Sequence, residues 1–505
     1  MLFPLDFSTQ NWPSAVFAVS VGIFLLWGLI ASWRPRFPNA APKLLKKNLP
    51  IVGSLGFFTR RRDFCNDGAS NSKTGNYSFS IGRYNVVGVS GLQGRKVFYE
   101  SKELNMTDGY AALLTGTPDF NVTENGVKFD AWFSKKLIKH LKKATFEKSL
   151  PFLIDDVASA MDRISAICGA RGGMFDPFDE MNRIVYHLTM RTIGVREIAD
   201  SPDLLEKSLR LIETIDKGSS PVRILFPWFP TFKHIKRSVA GIQFYLMVSR
   251  IIEDRRKTGR QEDDIVQQLM DEGESTFRIV SFLIMALLAA LLNSGINAAW
   301  VLCYLALNPQ WQAQVRGQID KALSKHPTGS PQDPIETLRR MTLDEWEAEF
   351  PLINLCLQES IRLQTVGTAF RKNVGGRDLK LEGTGEVIPK GGFVAYPIDD
   401  VHMNADIYTE PLKFDPGRYM AGREEDKKVP LGFVGWGYGR HACLGTRFAK
   451  LENAMVTVMF MAKFDFTLCN AAGEPMTETP LIDRNLAVVE RPSVPFRLKC
   501  TLRRY

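Results

Sequence analysis

A single cysteine, Cys443, closes a glycine-rich stretch that reads Phe433-Val434-Gly435-Trp436-Gly437-Tyr438-Gly439-Arg440-His441-Ala442-Cys443-Leu444-Gly445. Gly435, Gly437, Gly439 and Gly445 let backbone pass close to a flat ligand and reach dihedrals closed to other residues. Thr446 to Phe460 follows with apolar residues at helical period and no Gly or Pro, so a helix is predicted to start at the cysteine. Unpaired amide hydrogens and the positive end of the helix dipole favour a thiolate there, and a thiolate can ligate iron. A glycine-rich loop with one cysteine also fits a buried structural thiol. Two further stretches bear on that choice.

The first runs from Phe277 to Leu307, carries no charge after Arg278 and ends at Asn308-Pro309. It predicts one helix of about 45 Å, apolar on all sides and therefore buried. Asn293, Ser294, Gly295 and Asn297 interrupt it, which argues for burial in protein, because a buried amide needs a partner. The second pairs Glu359-Ser360-Ile361-Arg362, two charges on one helix face, with Phe414-Asp415-Pro416-Gly417-Arg418-Tyr419 downstream. Alone, Glu359 and Arg362 are an ordinary ion pair. A carboxylate shared by two guanidinium forks, Arg362 and Arg418, is a stronger device and can fix a loop.

With these three stretches in this order, the chain resembles the cytochrome P-450 family of haem-thiolate monooxygenases over residues 14–500. Trp436, Gly439, His441, Cys443, Leu444 and Gly445 fill its haem-ligand signature, with Trp436 in place of the commoner Phe. Glu359, Arg362 and Arg418 fill its Glu-x-x-Arg and Phe-x-Pro-x-Arg elements. The resemblance implies a mainly α fold with a small β region, haem b held by Cys443, and Glu359, Arg362 and Arg418 as structural support of the haem site. It further implies Arg371 and His441 as ligands of the haem propionates, and a pocket lined by Val366, Ala369, Phe370, Leu288 and Ala289. Trp132 and Lys136 match the family's propionate-binding Trp and Arg too loosely to carry that role.

One departure bears on mechanism. Where the family has an acid and an alcohol that relay protons, the aligned residues are Ala289-Ala290-Leu291-Leu292-Asn293. Leu292 cannot carry a proton, whereas Asn293 can order a water and is the catalytic candidate. Its amide can equally bond a carbonyl of its own helix. An oxygenase fed from NADPH through a separate reductase, with cytochrome b5 as an additional donor, is the principal reading. A P-450-fold isomerase or dehydratase that needs no reductase is the alternative, and a non-catalytic haem lipid-binding protein a second.

The chain has 505 residues, a formal charge of +9, seven cysteines and six histidines. The cysteines show no paired spacing, which fits a reducing compartment and no secreted disulfide framework. Scattered histidines give no zinc site. Ser14 to Trp33 is uncharged and long enough to span a bilayer, and Arg34, Arg36, Lys43, Lys46 and Lys47 follow it. This predicts 1–33 as a lumenal tip and transmembrane anchor, 34–50 as a basic Pro-rich hinge, and 51–505 as one catalytic domain. The domain is expected on the cytosolic side of the endoplasmic reticulum membrane, acting on a lipophilic, sterol- or terpenoid-like substrate in natural-product metabolism. No nucleic-acid role is expected; the charge is attributed to Lys135, Lys136, Lys139, Lys142 and Lys143, either a solvated helix face or a docking site for an acidic electron donor. Tyr77–Ser90 reads as a hairpin, Asp108–Gly116 as a loop, and Pro227-Trp228-Phe229-Pro230 as an aromatic knot before a helix.

Overall fold

The computed structural model describes residues 36–504 except 47, 50, 114–122, 125–126, 170–171, 219–220, 327–332 and 480–481, together with Val16, Ser20, Val21 and Gly22. The expected anchor at Ser14–Trp33 therefore lies, but for those four residues, outside the described residues. Helices that position the site are α1 (Met106–Leu113), α2 (Phe129–His140), α3 (Lys143–Cys168), α4 (Pro177–Ile193), α5 (Thr276–Ala290), α6 (Ile296–Leu307), α7 (Pro351–Gln364) and α8 (Thr446–Lys463). The chain forms two compact units. One comprises Met1–Leu113, Pro221–Phe229 and Phe370–Tyr396, the other Leu114–Ser220, Pro230–Ala369 and Pro397–Tyr505.

The first unit is built on the β region. Tyr77–Ile81 and Tyr84–Gly88 form the predicted antiparallel hairpin, with Ile81 opposite Tyr84. It extends through Phe393–Pro397 and Thr368–Asn373 to Leu104–Asn105, giving a five-stranded sheet. Phe57, Phe64, Phe79, Phe370 and Phe393 cluster in its core. The hinge segment is docked on this sheet: Leu44 bridges Ser78, and Leu49 bridges Gly53. Residues 108–113 of the expected loop Asp108–Gly116 belong to α1 instead. Its packing decides that conformation, because a Cβ on Gly109 would stand 2.7 Å from the Arg371 backbone, so the helix sits tight against that strand.

The second unit holds two helical cores. The long apolar stretch is one helical rod in three parts: α5, a π-helical turn over Leu291–Gly295, and α6. Ile279 to Leu288 pack into one core. Ala298 to Leu305 pack into the other. The π turn stands where the rod passes between them, and its extra residue per turn changes which face points where. Gly295 is required there, since a Cβ would meet Asn182 Oδ1 of α4 at 2.6 Å. Among the described residues, 276–307 is long and apolar enough to cross a membrane; burial in the two cores accounts for that composition. Cys168 and Cys500 form a disulfide across 332 residues of sequence, a pair that scattered spacing did not reveal.

Candidate active site

The loop before α8 folds tightly on itself. Gly437 has φ +67°, and a Cβ there would stand 2.3 Å from the carbonyl oxygen of His441. Gly435 is needed for a different reason, since its Cβ would press to 2.4 Å on Ile361 of α7. The Cys443 amide donates to the Trp436 carbonyl at 2.7 Å, closing the loop. Gly437→Ala is expected to cost about 1–3 kcal/mol of stability through strain at that turn, read as a lowered unfolding temperature with reduced haem loading; an unchanged melting curve would show the turn to be relaxed. Cys443, expected at the helix start, lies two residues before the observed cap. Thr446 is the first helical residue and Gly445 the cap, while Thr446 Oγ1 donates to the Cys443 carbonyl at 2.9 Å.

Behind the loop, Glu359 is fully buried between two equally buried arginines. Arg362 grips it with two parallel bonds, Nε to Oε2 and Nη2 to Oε1, both at 2.8 Å. Arg418 Nε donates to Oε1 at 2.9 Å and Tyr419 Oη to Oε2 at 2.8 Å. The Asp415 amide adds a fifth donor at 3.1 Å. Spare guanidinium hydrogens hold backbone: Arg362 Nη1 bonds the His402 and Pro411 carbonyls, each at 2.7 Å, and Arg418 Nη1 bonds the Thr409 carbonyl at 2.9 Å. His402 in turn accepts the Val434 amide on Nε2 at 3.1 Å, carrying the network into the loop that ends at Cys443.

Sequence reasoning missed a second carboxylate, Glu425. It takes Arg418 Nη1 at 2.6 Å and Arg423 Nη2 at 2.9 Å. Burial opposes its charge, yet the bonds from Arg423, Arg418 and the Thr409 amide win and hold its pKa down at about 2. No spacing rule flags it, because Glu424, Glu425 and Asp426 look alike as a solvated acidic run. Tyr408 was also missed; it lies under both guanidinium groups, 4.8 Å from Arg362 and 5.8 Å from Arg418, and its hydroxyl donates to the Gly432 carbonyl at 2.7 Å.

Two faces of this unit are open. Ala442, Cys443 and Leu444 are consecutive exposed residues at the loop's end. On the central rod between Ile279 and Leu305, Ala289 and Asn293 are the exposed positions among the described side chains. They lie four apart, on one face. Asn293 Nδ2 donates to the Ala289 carbonyl at 3.0 Å, so its amide hydrogens serve their own helix first. Asn297 repeats the pattern on Asn293, bonding its carbonyl at 2.8 Å, and its Oδ1 accepts Ser360 Oγ of α7 at 2.9 Å. That last bond ties the Glu-x-x-Arg helix to the rod just beyond the π turn.

The family model described as Cytochrome P450 matches residues 42–496. The chain belongs to the cytochrome P450 family. It is 32% identical over 491 residues to the cytochrome P450 monooxygenase AacuE of Aspergillus aculeatus, covering 95% of this chain and 96% of that one. Cytochrome P450 monooxygenase nsrP of Aspergillus novofumigatus is 30% identical over 93% and 92% of the two chains. A sterol 14-demethylase of Arabidopsis thaliana is 25% identical over 89% of each. In fold, the chain is similar to the solved retinoic-acid-bound cyanobacterial CYP120A1, with a TM-score of 0.68 at 20% identity, covering 92% of this chain and all of that one. P450 monooxygenases are oxidoreductases, and the family implies haem iron.

The residues present fit that group. A P450 haem needs a thiol on an open apolar surface, and Cys443 lies between exposed Ala442 and Leu444. It also needs backbone bare enough for a flat ring, and a Cβ on Gly445 would meet nothing within 4 Å. The remaining candidates divide. His441 is partly buried within the loop, its amide bonded to the Tyr438 carbonyl at 3.1 Å. Arg371 belongs to the first unit, where it is buried, its guanidinium 5.0 Å from the Phe98 ring; it is not a plain surface arginine. Phe370 is packed in the first unit's core against Phe57 and Tyr110, and Leu288 lies in a helical core. Neither Trp132 nor Lys136 stands ready for a propionate: Trp132 Nε1 donates to Glu274 at 2.7 Å, and Lys136 pairs with Glu272 and Glu274.

The basic cluster is likewise no single face. α2 stops at His140 and α3 starts at Lys143, so the five lysines are split over two helices and the turn between them. Lys139 bonds Glu272 at 2.6 Å and Lys143 bonds Asp344 at 2.6 Å. Acidic partners thus neutralise much of the cluster locally.

Proposed function

We propose that this P450 is a membrane-anchored monooxygenase that inserts one atom of dioxygen into a lipophilic substrate, using electrons passed from NADPH by a separate reductase, with cytochrome b5 as an additional donor. The observation that carries this reading is the exposed Cys443 at the end of a loop braced by the Glu359 network. When bound, haem supplies the activation of dioxygen. The chain's own residues do the rest. Cys443 would hold the iron through its sulfur, and a thiolate there would donate electron density to it. His441 offers a hydrogen-bond donor suited to a propionate. Ala289 presents a small apolar surface beside Asn293, and Asn293 Oδ1 can accept from a water or a substrate hydroxyl while its amide nitrogen is engaged.

Apolar surroundings and the uncharged run Ser14–Trp33 favour a sterol- or terpenoid-like substrate met at the endoplasmic reticulum membrane, with the catalytic part on the cytosolic side. Plant relatives named as obtusifoliol and sterol 14-demethylases lend support to the sterol class, and the fungal monooxygenases to natural-product metabolism. The bond from Asn293 to Ala289 gives weight to a second reading, an isomerase or dehydratase that needs no proton relay. Turnover of a lipophile that binds the haem protein, with and without NADPH and reductase under labelled dioxygen, separates the two. Product carrying one labelled oxygen and dependent on reductase is expected. Equal unlabelled product without reductase would promote the isomerase.

A further inference from the structure

Beside Glu359, α7 carries a second polar group that reaches another element. Ser360 is 0% exposed, and its hydroxyl meets Asn297 Oδ1 on the central rod at 2.9 Å. The other end of that amide bonds the Asn293 carbonyl at 2.8 Å, and the Asn293 amide bonds the Ala289 carbonyl at 3.0 Å. A carbonyl can only accept, so each amide must turn its nitrogen along the rod. Asn297 is left with its oxygen toward α7, and Ser360 must be the donor there. The three bonds form one directed ladder. It starts at a fully enclosed hydroxyl and ends at Asn293 and Ala289 on the open face of the rod.

The ladder runs across Leu291–Gly295, where the backbone departs from α geometry. Side-chain amides that bond carbonyls four residues back compete with a helix's own hydrogen bonds, which favours such a departure. α4 meets the turn at Gly295, where Asn182 gives its amide nitrogen to Glu213 Oε1 at 3.0 Å. α4 therefore limits the turn by close packing, while α7 aims it by directed bonds.

We infer that Ser360 and Asn297 are positioning residues for Asn293: α7, which braces the cysteine loop through Glu359, also sets the π turn and the direction of the exposed Asn293 amide. Neither residue touches substrate. One helix thus keeps two parts of the site in register, the cysteine loop through Glu359 and the open face of the rod through Ser360. The use of this placement in turnover rests on the monooxygenase reading, whereas the placement itself does not.

The test takes the full chain loaded with haem. Ser360→Ala removes the donor and leaves Asn297 Oδ1 unmet, so amide hydrogen exchange across residues 289–297 should quicken by about tenfold, with exchange across 432–443 unchanged. The C–O stretch of the ferrous carbon monoxide complex reads polar groups beside the bound gas. It should shift in Ser360→Ala and in Asn297→Ala in the same direction as in Asn293→Ala. Ser360→Cys, similar in size and a weaker donor, should fall between wild type and Ser360→Ala. Because the two residues act through one link, the double variant should be no worse than the worse of the two single ones. Unchanged exchange across the turn, or an unshifted band in both single variants, overturns the inference. Exchange that rises equally in the two segments overturns it too, since that is general loosening. If Ser360→Ala fails to load haem, Asn297→Ala decides by the same two readings, because it leaves α7 as it is. A protein that proves to be an isomerase would still show both effects, so this inference and the monooxygenase reading fail separately.

Discussion

Cys443→Ser is expected to leave a folded protein that has lost the thiolate-type spectrum of its ferrous carbon monoxide complex and its oxygenase turnover. The fold should survive, because the loop is closed by backbone groups: the 443 amide to Trp436, and the 443 carbonyl to Thr446. Serine keeps both. What it removes is the sulfur, and since even outer-shell partners of metal ligands are worth about 10- to 100-fold, loss of the ligand should exceed that. The other candidate thiols are poor substitutes. Cys303 and Cys356 are fully enclosed, and burial drives both thiols well above their usual range. Cys443 is instead exposed. A retained thiolate spectrum would show that another cysteine is the ligand.

The parts legible in the sequence were those where chemistry forces a residue type at a short spacing. Gly437 and Cys443 belong to one loop, Glu359 and Arg362 to one helix turn, and Tyr77–Gly88 to one hairpin. Arg418 was found only because a recurring segment surrounds it. What stayed hidden depends on distant pairing. Glu425 meets Arg418 seven residues away in a segment with only short 3-10 turns, so no helical or strand period exposes it. Cys168 and Cys500 meet only after the strands Gly173–Phe175 and Phe496–Leu502 pair. The π turn was foreshadowed by Asn293, Ser294 and Gly295, polar or small residues in an apolar rod, but its form follows from the two cores on either side. α1 is set by a close approach to Arg371, and the division into two units by the separation of the sheet core from the helical ones. Neither is visible in local patterning.

Glu359→Ala is expected to give protein with little bound haem and a loss of about 3–5 kcal/mol in stability, the cost of stripping one partner from a buried ion network. Arg362 and Arg418 are both 0% exposed, so neither can turn to water when the carboxylate goes. Arg418 retains Glu425 at 2.6 Å and keeps a countercharge. Arg362 does not: among the described residues Glu359 is its one ion-pair partner, and its remaining bonds go to the His402 and Pro411 carbonyls. The larger damage should therefore fall on the His402 side, which leads through Val434 to the cysteine loop. Tyr419 would lose its acceptor too, and burial, the largest cause holding its hydroxyl proton in place, would still oppose its ionisation once the Glu359 charge is gone. Glu359→Gln should be nearly as damaging, because an amide offers one acceptor oxygen to a site built around two. By contrast, Glu425→Gln should lose less haem, since Arg418 would still hold Glu359 at 2.9 Å. Haem absorbance per mole of protein and chemical unfolding of the three variants measure this order. Normal haem content in Glu359→Ala would separate the network from the haem site, and a Glu425→Gln loss equal to it would move the centre of support to Arg418.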